Sequence, residues 1–230
     1  GKDLFTDDLR ETLGQFEQAK NFGSLIVPKL RDPAEALRVV KARDFGGDLL
    51  LKDVQARVVA VLRMAEALSP KHQVVVANPP YMGAGGMNPS LKAFIASEYK
   101  DYSNDLYNAF IYRISLLSIA ECGLMTPFTW IALSTFENLR RHIIGENTIR
   151  SLVKPQYHTM FDSAAVPICA FCFSTTKNTG GSGVFFDLEQ FKKRGDQPIK
   201  LLEGIDKPNV SWRYDMPSKN FLNLPSCTIA

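Results

Sequence analysis

The chain has 230 residues, 45% of them apolar and 22% charged, with a formal net charge of +3. That is the make-up of a soluble globular protein able to bury a sizeable core. The charge permits an acidic partner such as nucleic acid, but a dedicated DNA-binding domain is usually more basic. No apolar run approaches the roughly 20 residues of a membrane-spanning helix.

The N-terminal Gly1-Lys2-Asp3-Leu4 has no signal-peptide pattern, so a cytoplasmic location is expected. Residues 1–70 read as a helical segment. Leu9, Leu13 and Phe16 mark one face of a first helix. Asp32-Pro33-Ala34-Glu35 is a helix start, with a capping carboxylate, a proline in the first turn and a glutamate that can reach back. Gly46-Gly47 breaks the chain, and Asp48 caps a longer helix. Along that helix Leu51, Val54, Val58, Val61, Ala65 and Leu68 form an apolar stripe, which Ser69-Pro70 ends.

After Pro70 the texture changes, and residues 71–190 read as an α/β region. Val74 to Ala77 is short and apolar, like a buried parallel strand. It stops at Asn78-Pro79-Pro80-Tyr81, and a loop from Tyr81 to about Asn104 follows. A buried helix is expected over Asp105–Glu121 and a second strand over Leu124–Ile131. Ser134-Thr135-Phe136-Glu137 has the form of a capping box, for a helix that turns Phe136, Leu139 and Ile143 inward and stops at Gly145. Further strands are expected over Ile149–Val153, Val166–Phe173 and Val184–Asp187. Strands 3 and 4 lack a helix between them, so they should pair antiparallel. The tail, residues 191–230, carries prolines at 198, 208, 217 and 225 and reads as loop-rich.

Cys169 and Cys172 form a CxxC on the fourth strand. Residues three apart on a strand point to opposite faces, so the two thiols cannot share a zinc. Core packing is the expectation there. The histidines, His72, His142 and His158, are scattered and suggest neither a metal site nor a triad.

Asn78-Pro79-Pro80-Tyr81 is where chemistry is expected. In an open α/β sheet, ligands bind beyond the carboxyl ends of the strands. Two consecutive prolines make a stiff turn that offers carbonyl acceptors and no competing N–H. The Asn78 side chain adds a further acceptor, so the turn can cradle an NH2 group. Holding both N–H bonds from one side favours a pyramidal nitrogen whose lone pair faces a methyl donor. Tyr81 offers a flat face for an aromatic ring, worth about 1–3 kcal/mol per base.

Asn78-Pro79-Pro80-Tyr81 resembles motif IV of amino-methyltransferases that use S-adenosylmethionine. The longer runs NPPYMGAGGMNPSLKAFIASEY, DLYNAFIYRISLL, GLMTPFTWIALSTFENLRRHI and MFDSAAVPICAFCF resemble the adenine-specific DNA methyltransferases of bacterial phage-exclusion (BREX) systems, the PglX type, and their restriction–modification relatives. The resemblance implies the second half of a Rossmann-like methyltransferase sheet, strands 4-5-7-6 of an order 3-2-1-4-5-7-6, with the last strands antiparallel. It implies DNA as partner and methyl transfer to the N6 amine of a flipped adenine. Asn78 and the Pro79 carbonyl would hold the amine, Pro80 would stiffen the turn, and Tyr81 would stack on the base. Phe161 would supply a second aromatic; an ordinary core phenylalanine is the other reading of it. Glutamine- and RNA-methylating enzymes also resemble this motif, and a non-catalytic DNA-binding or assembly subunit is a third possibility.

The family's Phe-x-Gly-x-Gly cofactor loop is not found. Phe45-Gly46-Gly47-Asp48 comes nearest, but no strand precedes it. The chain is therefore expected to be a piece of a larger enzyme, inactive by itself, with its recognition region elsewhere. Strand Val74–Ala77 would then be an exposed edge, prone to self-association or covered by the N-terminal helices.

Overall fold

The computed structural model describes residues 6–156, 166–176 and 181–229. The chain divides into two compact units, Gly1–Lys71 and His72–Ala230.

The first unit is helical: α1 (Asp7–Gln15), α2 (Ala19–Phe22), α3 (Pro33–Ala42) and α4 (Leu49–Leu68). Each long helix starts on a side-chain cap. Thr6 accepts from the Leu9 N–H, Asp32 from Glu35, and Asp48 from Leu50 and Leu51. Leu9, Ala36, Leu37 and Leu62 form one buried cluster, and Phe16, Ile26 and Ala65 a second. The stripe expected on α4 holds only in part. Val58, Val61 and Leu68 pack against these clusters, but Leu51 and Val54 are exposed and Leu62 takes the buried centre. The heptad-like spacing gave the right helix with the contact shifted toward its C-terminal end.

The second unit contains β1 (His72–Ala77), α5 (Pro89–Glu98), α6 (Leu106–Leu117), β2 (Ser118–Pro127), α7 (Glu137–Glu146), β3 (Thr148–Lys154), β4 (Ile168–Ser174), β5 (Ser182–Asp187), α8 (Asp196–Asp206) and β6 (Arg213–Pro217). Its sheet has the order β1-β2-β4-β3-β5-β6. β1 and β2 are parallel, β4 runs antiparallel to both β2 and β3, β5 is parallel to β3, and β6 antiparallel to β5. The first four positions reproduce the expected 4-5-7-6 with the expected antiparallel strand. The core lies between one face of the sheet and α6 and α7. Tyr107, Ile111, Leu139 and Ile143 meet Cys122, Leu124, Ile149, Phe171 and Phe173 there, and Phe221, Cys227 and Ile229 complete the cluster.

Several elements differ from expectation. The helix expected to reach Glu121 ends at Leu117, because Ser118 to Glu121 are drawn into the ladder, with Ser118 opposite His72 and Glu121 between Val74 and Ser174. The strand stops at Pro127, which pairs with the first residue of β4, Ile168; beyond that point the partner strand has ended. Phe128–Ile131 therefore turns off as a 3₁₀ helix. The capping box does not form: Ser134–Phe136 is itself a 3₁₀ turn without a side-chain cap, and Glu137 takes the Arg141 guanidinium at 2.7 Å. The tail is more ordered than its prolines suggest. Pro198 sits in the first turn of α8 and Pro217 closes β6, both positions that tolerate a missing N–H. The long loop holds α5, capped by Asn88 with Pro89 in its first turn.

Candidate active site at the end of strand β1

Asn78-Pro79-Pro80-Tyr81 leaves the carboxyl end of β1 with no regular structure. β1 enters it already paired with β2, Ala77 opposite Leu124. Pro79 and Pro80 have no N–H to give. The Tyr81 hydroxyl lies 2.8 Å from Asn78 Oδ1 and 3.2 Å from the Met125 carbonyl on β2. The turn is thereby tied to the neighbouring strand. Tyr81 is half-buried, its ring meeting Tyr107 edge-on at 6.4 Å. Burial, helped by the nearby Cys169, pushes the Tyr81 phenol above its ordinary range.

Behind Tyr81 the support is aromatic and hydrogen-bonded. Tyr107 is buried, its hydroxyl 2.9 Å from Thr129 Oγ1 and its ring against Phe136 at 5.6 Å. Burial drives its phenol far upward, so it stays a neutral partner. The segment after the turn is fastened to the start of α6. Asp105 Oδ1 accepts the N–H groups of Met82 at 3.1 Å and Tyr107 at 3.2 Å, and the Leu106 N–H donates to the Met82 carbonyl at 2.9 Å. Gly83 and Asp105 form an isolated antiparallel bridge.

Asn78 also lines one end of an open groove of about 460 Å³ on the sheet face away from α6 and α7. Val76, Gly123, Met125, Ser151, Ala170 and Cys172 make its floor. Small residues keep that floor low; a Cβ at Gly123 would sit 3.6 Å from Val76.

Asn78, Pro79, Pro80 and Tyr81 follow one another at the carboxyl end of β1, with Asn78 lining the groove and Tyr81 packed against the core, while Phe161 lies outside the described residues. The CxxC is split as the strand period requires: Cys169 is buried and Cys172 exposed. Burial pushes the Cys169 thiol up to about 12, unlike a metal-binding thiolate. Among the described residues no group of three or more His, Cys, Asp or Glu could hold a metal ion. His142 sits under Tyr112 and beside Ser115 at 2.9 Å, and burial lowers its pKa, as for a packing histidine. Phe45-Gly46-Gly47 lies in the connection between α3 and α4, with no strand before it. Sequence reasoning missed the Met125 carbonyl, the Asp105 clasp and the Tyr107–Thr129 pair. Only Asp105 carried a signal, as the residue opening a buried helix.

The described sheet thus carries a proline-rich acceptor turn at the carboxyl end of its outer strand β1. The chain belongs to the Eco57I restriction-modification methylase family, whose pattern it matches over residues 15–161. It is 27% identical over 241 residues to the adenine-specific methyltransferase PglX of Lacticaseibacillus casei (strain Zhang), covering 100% of this chain and 20% of that protein. It is 35% identical over 148 residues to the adenine-specific methyltransferase BrxX of Escherichia coli O9:H4 (strain HS), covering 61% of this chain and 12% of that one. The chain therefore spans a fifth or less of the length of these curated relatives. A chain from a solved type I restriction–modification system has the same fold at a TM-score of 0.54 and 13% identity, over 99% of this chain and 58% of its own length.

Proposed function

We propose that the chain is the amine-gripping portion of a longer DNA methyltransferase that methylates the N6 of a flipped adenine in restriction–modification or phage defence. The observation that carries this is the Asn78–Tyr81 turn at the carboxyl end of β1, in which Pro79 and Pro80 offer carbonyls and no N–H. Asn78 Oδ1 and the Pro79 carbonyl accept the two amine hydrogens, and Pro80 keeps the turn from relaxing. The lone pair of the gripped nitrogen then points away from the cradle. The Tyr81 ring packs on the base, offsetting the few kcal/mol spent on extruding it.

S-adenosylmethionine is the donor this family role calls for. The described residues do not complete a pocket for it. β1 has a neighbour on one side only, and no strand leads into a glycine-rich turn. The donor side of the site is accordingly assigned to a part of the longer protein, and the isolated chain is expected to be inactive. Its outer strand β1 is expected to recruit a second copy. A cytoplasmic place suits a DNA partner; no helix among the described residues is long and apolar enough to cross a membrane.

The test is Asn78→Ala in the longer protein, assayed for labelled methyl transfer to DNA, RNA and protein. Loss of transfer to DNA with unchanged thermal unfolding is expected. Full transfer by the variant would overturn the role of Asn78. Transfer to RNA or protein instead of DNA would redirect the substrate, and no transfer by the wild type would favour a non-catalytic subunit.

A further inference from the structure

An asparagine at the head of a turn normally spends its side-chain oxygen on the backbone N–H two residues on. That option is closed here, because the next two residues are Pro79 and Pro80. An amide left without a fixed partner has two ends of similar size and opposite chemistry. One accepts a hydrogen bond and the other donates. An amine arriving at the donor end meets N–H against N–H.

The Tyr81 hydroxyl fills the gap. Its single proton has two acceptors within reach, Asn78 Oδ1 at 2.8 Å and the Met125 carbonyl at 3.2 Å, and the shorter contact is to Asn78. The Met125 carbonyl belongs to β2, so the hydroxyl is placed against the sheet as well as against the turn. Oδ1 has two lone pairs, and the phenol uses one, leaving the other for an amine N–H.

We propose that the Tyr81 hydroxyl is a positioning group that fixes the rotation of the Asn78 amide, so that its oxygen and not its nitrogen meets the substrate amine. This rests on the amine-methylating function above and adds to it. The role assigned to the Tyr81 ring is stacking, whereas the role of the hydroxyl is to set Asn78. The two are separable, because Tyr81→Phe keeps the ring and removes only the hydroxyl. The phenol's raised pKa keeps its proton in place over the neutral range.

Asn78→Asp supplies the control. A carboxylate has two equivalent oxygens, so no rotation can present a donor to the amine. The hydroxyl should then matter little. The experiment is a double-mutant cycle in the longer protein, read by single-turnover methyl transfer so that slow variants still report. Tyr81→Phe in the Asn78 protein should slow transfer about five- to tenfold, the scale of one hydrogen bond, with KM for the acceptor unchanged. In the Asn78→Asp background the same change should alter the rate by less than about twofold. An equal slowing in both backgrounds, or no slowing in the Asn78 protein, overturns the proposal.

A second arm needs no activity. In this chain labelled with 15N, the Asn78 side-chain NH2 should be rigid, and Tyr81→Phe should release it while leaving other asparagine side chains unchanged. An equally rigid amide in the variant overturns the proposal. A wild-type protein that methylates nothing overturns the proposed function instead, and the NMR arm then decides the tie alone.

Discussion

Arg140 reaches across 86 residues of sequence to donate its Nε–H to the Ser226 carbonyl at 2.9 Å. The same guanidinium gives Nη1 to the carbonyls of Trp130 at 2.6 Å and Leu133 at 2.7 Å. One buried cation thus ends the turn after β2 and pins the C-terminal segment to it. Ser226 and Cys227 have positive φ, 51° and 54°, a conformation that L-residues adopt only when neighbours hold them. Burial lowers the Arg140 pKa, but an arginine stays charged at any working pH.

Arg140→Ala should therefore cost about 3 kcal/mol or more, since three carbonyls lose their donor inside the core. Arg140→Lys should recover little of it, because one ammonium cannot reproduce the planar fork. Urea unfolding of this chain, followed by circular dichroism, checks both. A loss below about 1 kcal/mol for the alanine variant would mean that water satisfies these carbonyls instead.

Gly183 on β5 faces β3 with no room to spare. A Cβ there would collide with the Ile149 carbonyl oxygen and lie 3.0 Å from the Phe185 ring. The obstacle is backbone and cannot swing aside. Gly183→Ala should cost roughly 1–3 kcal/mol, the usual range for overpacking, and weaken β5 and β6 first. Hydrogen exchange at the β3–β5 ladder measures this. Faster exchange at Val184 and Phe186, with β1 and β2 unchanged, is the expected pattern.

Asp105 gives a pH dependence of definite sign. Burial raises its pKa above the ordinary 3.8, although the N–H groups of Met82, Tyr107 and Leu106 pull it back in part. The folded state then holds a proton more tightly than the unfolded chain does. Stability falls as pH rises through the window that begins near 3.8 and ends at the folded pKa. Asp105→Asn retains an oxygen acceptor for Met82 and Tyr107 and cannot ionise. Its stability curve should be flatter than the wild type's across that window. A wild-type curve that rises with pH there, relative to the asparagine variant, would contradict the sign.

The strands that frame the site were legible because each is a short apolar run ending in a recognisable breaker. The Asn78–Tyr81 turn itself was legible because its four residues are consecutive. The period of the strand alone puts the two thiols on opposite faces, but core packing holds only for Cys169, because Cys172 is exposed. What escaped has two physical causes. Ser118 to Glu121 carry no signal against helix, and only pairing with β1 and β4 makes them strand. The prolines of the tail read as loop because proline alone does not say whether it opens a helix, as Pro198 does, or closes a strand, as Pro217 does. Likewise the Met125 carbonyl carries no side-chain signature, so its bond to Tyr81 is visible only in the fold.

Among the described residues β1 is the sheet's outer strand, with no strand on its side away from β2. Val74 and Val76 stand exposed on it, Val76 at 77%. An apolar strand with a free edge is a template for another strand, and a lysine on such an edge is a common way of blocking it. The isolated chain should accordingly self-associate, with a sedimentation coefficient that rises with concentration. Val76→Lys should shift it toward monomer while leaving the unfolding midpoint nearly unchanged, because Val76 packs little of its surface. A wild-type chain that stays monomeric at high concentration would show that this edge is silent, and association undiminished by Val76→Lys would place the contact elsewhere.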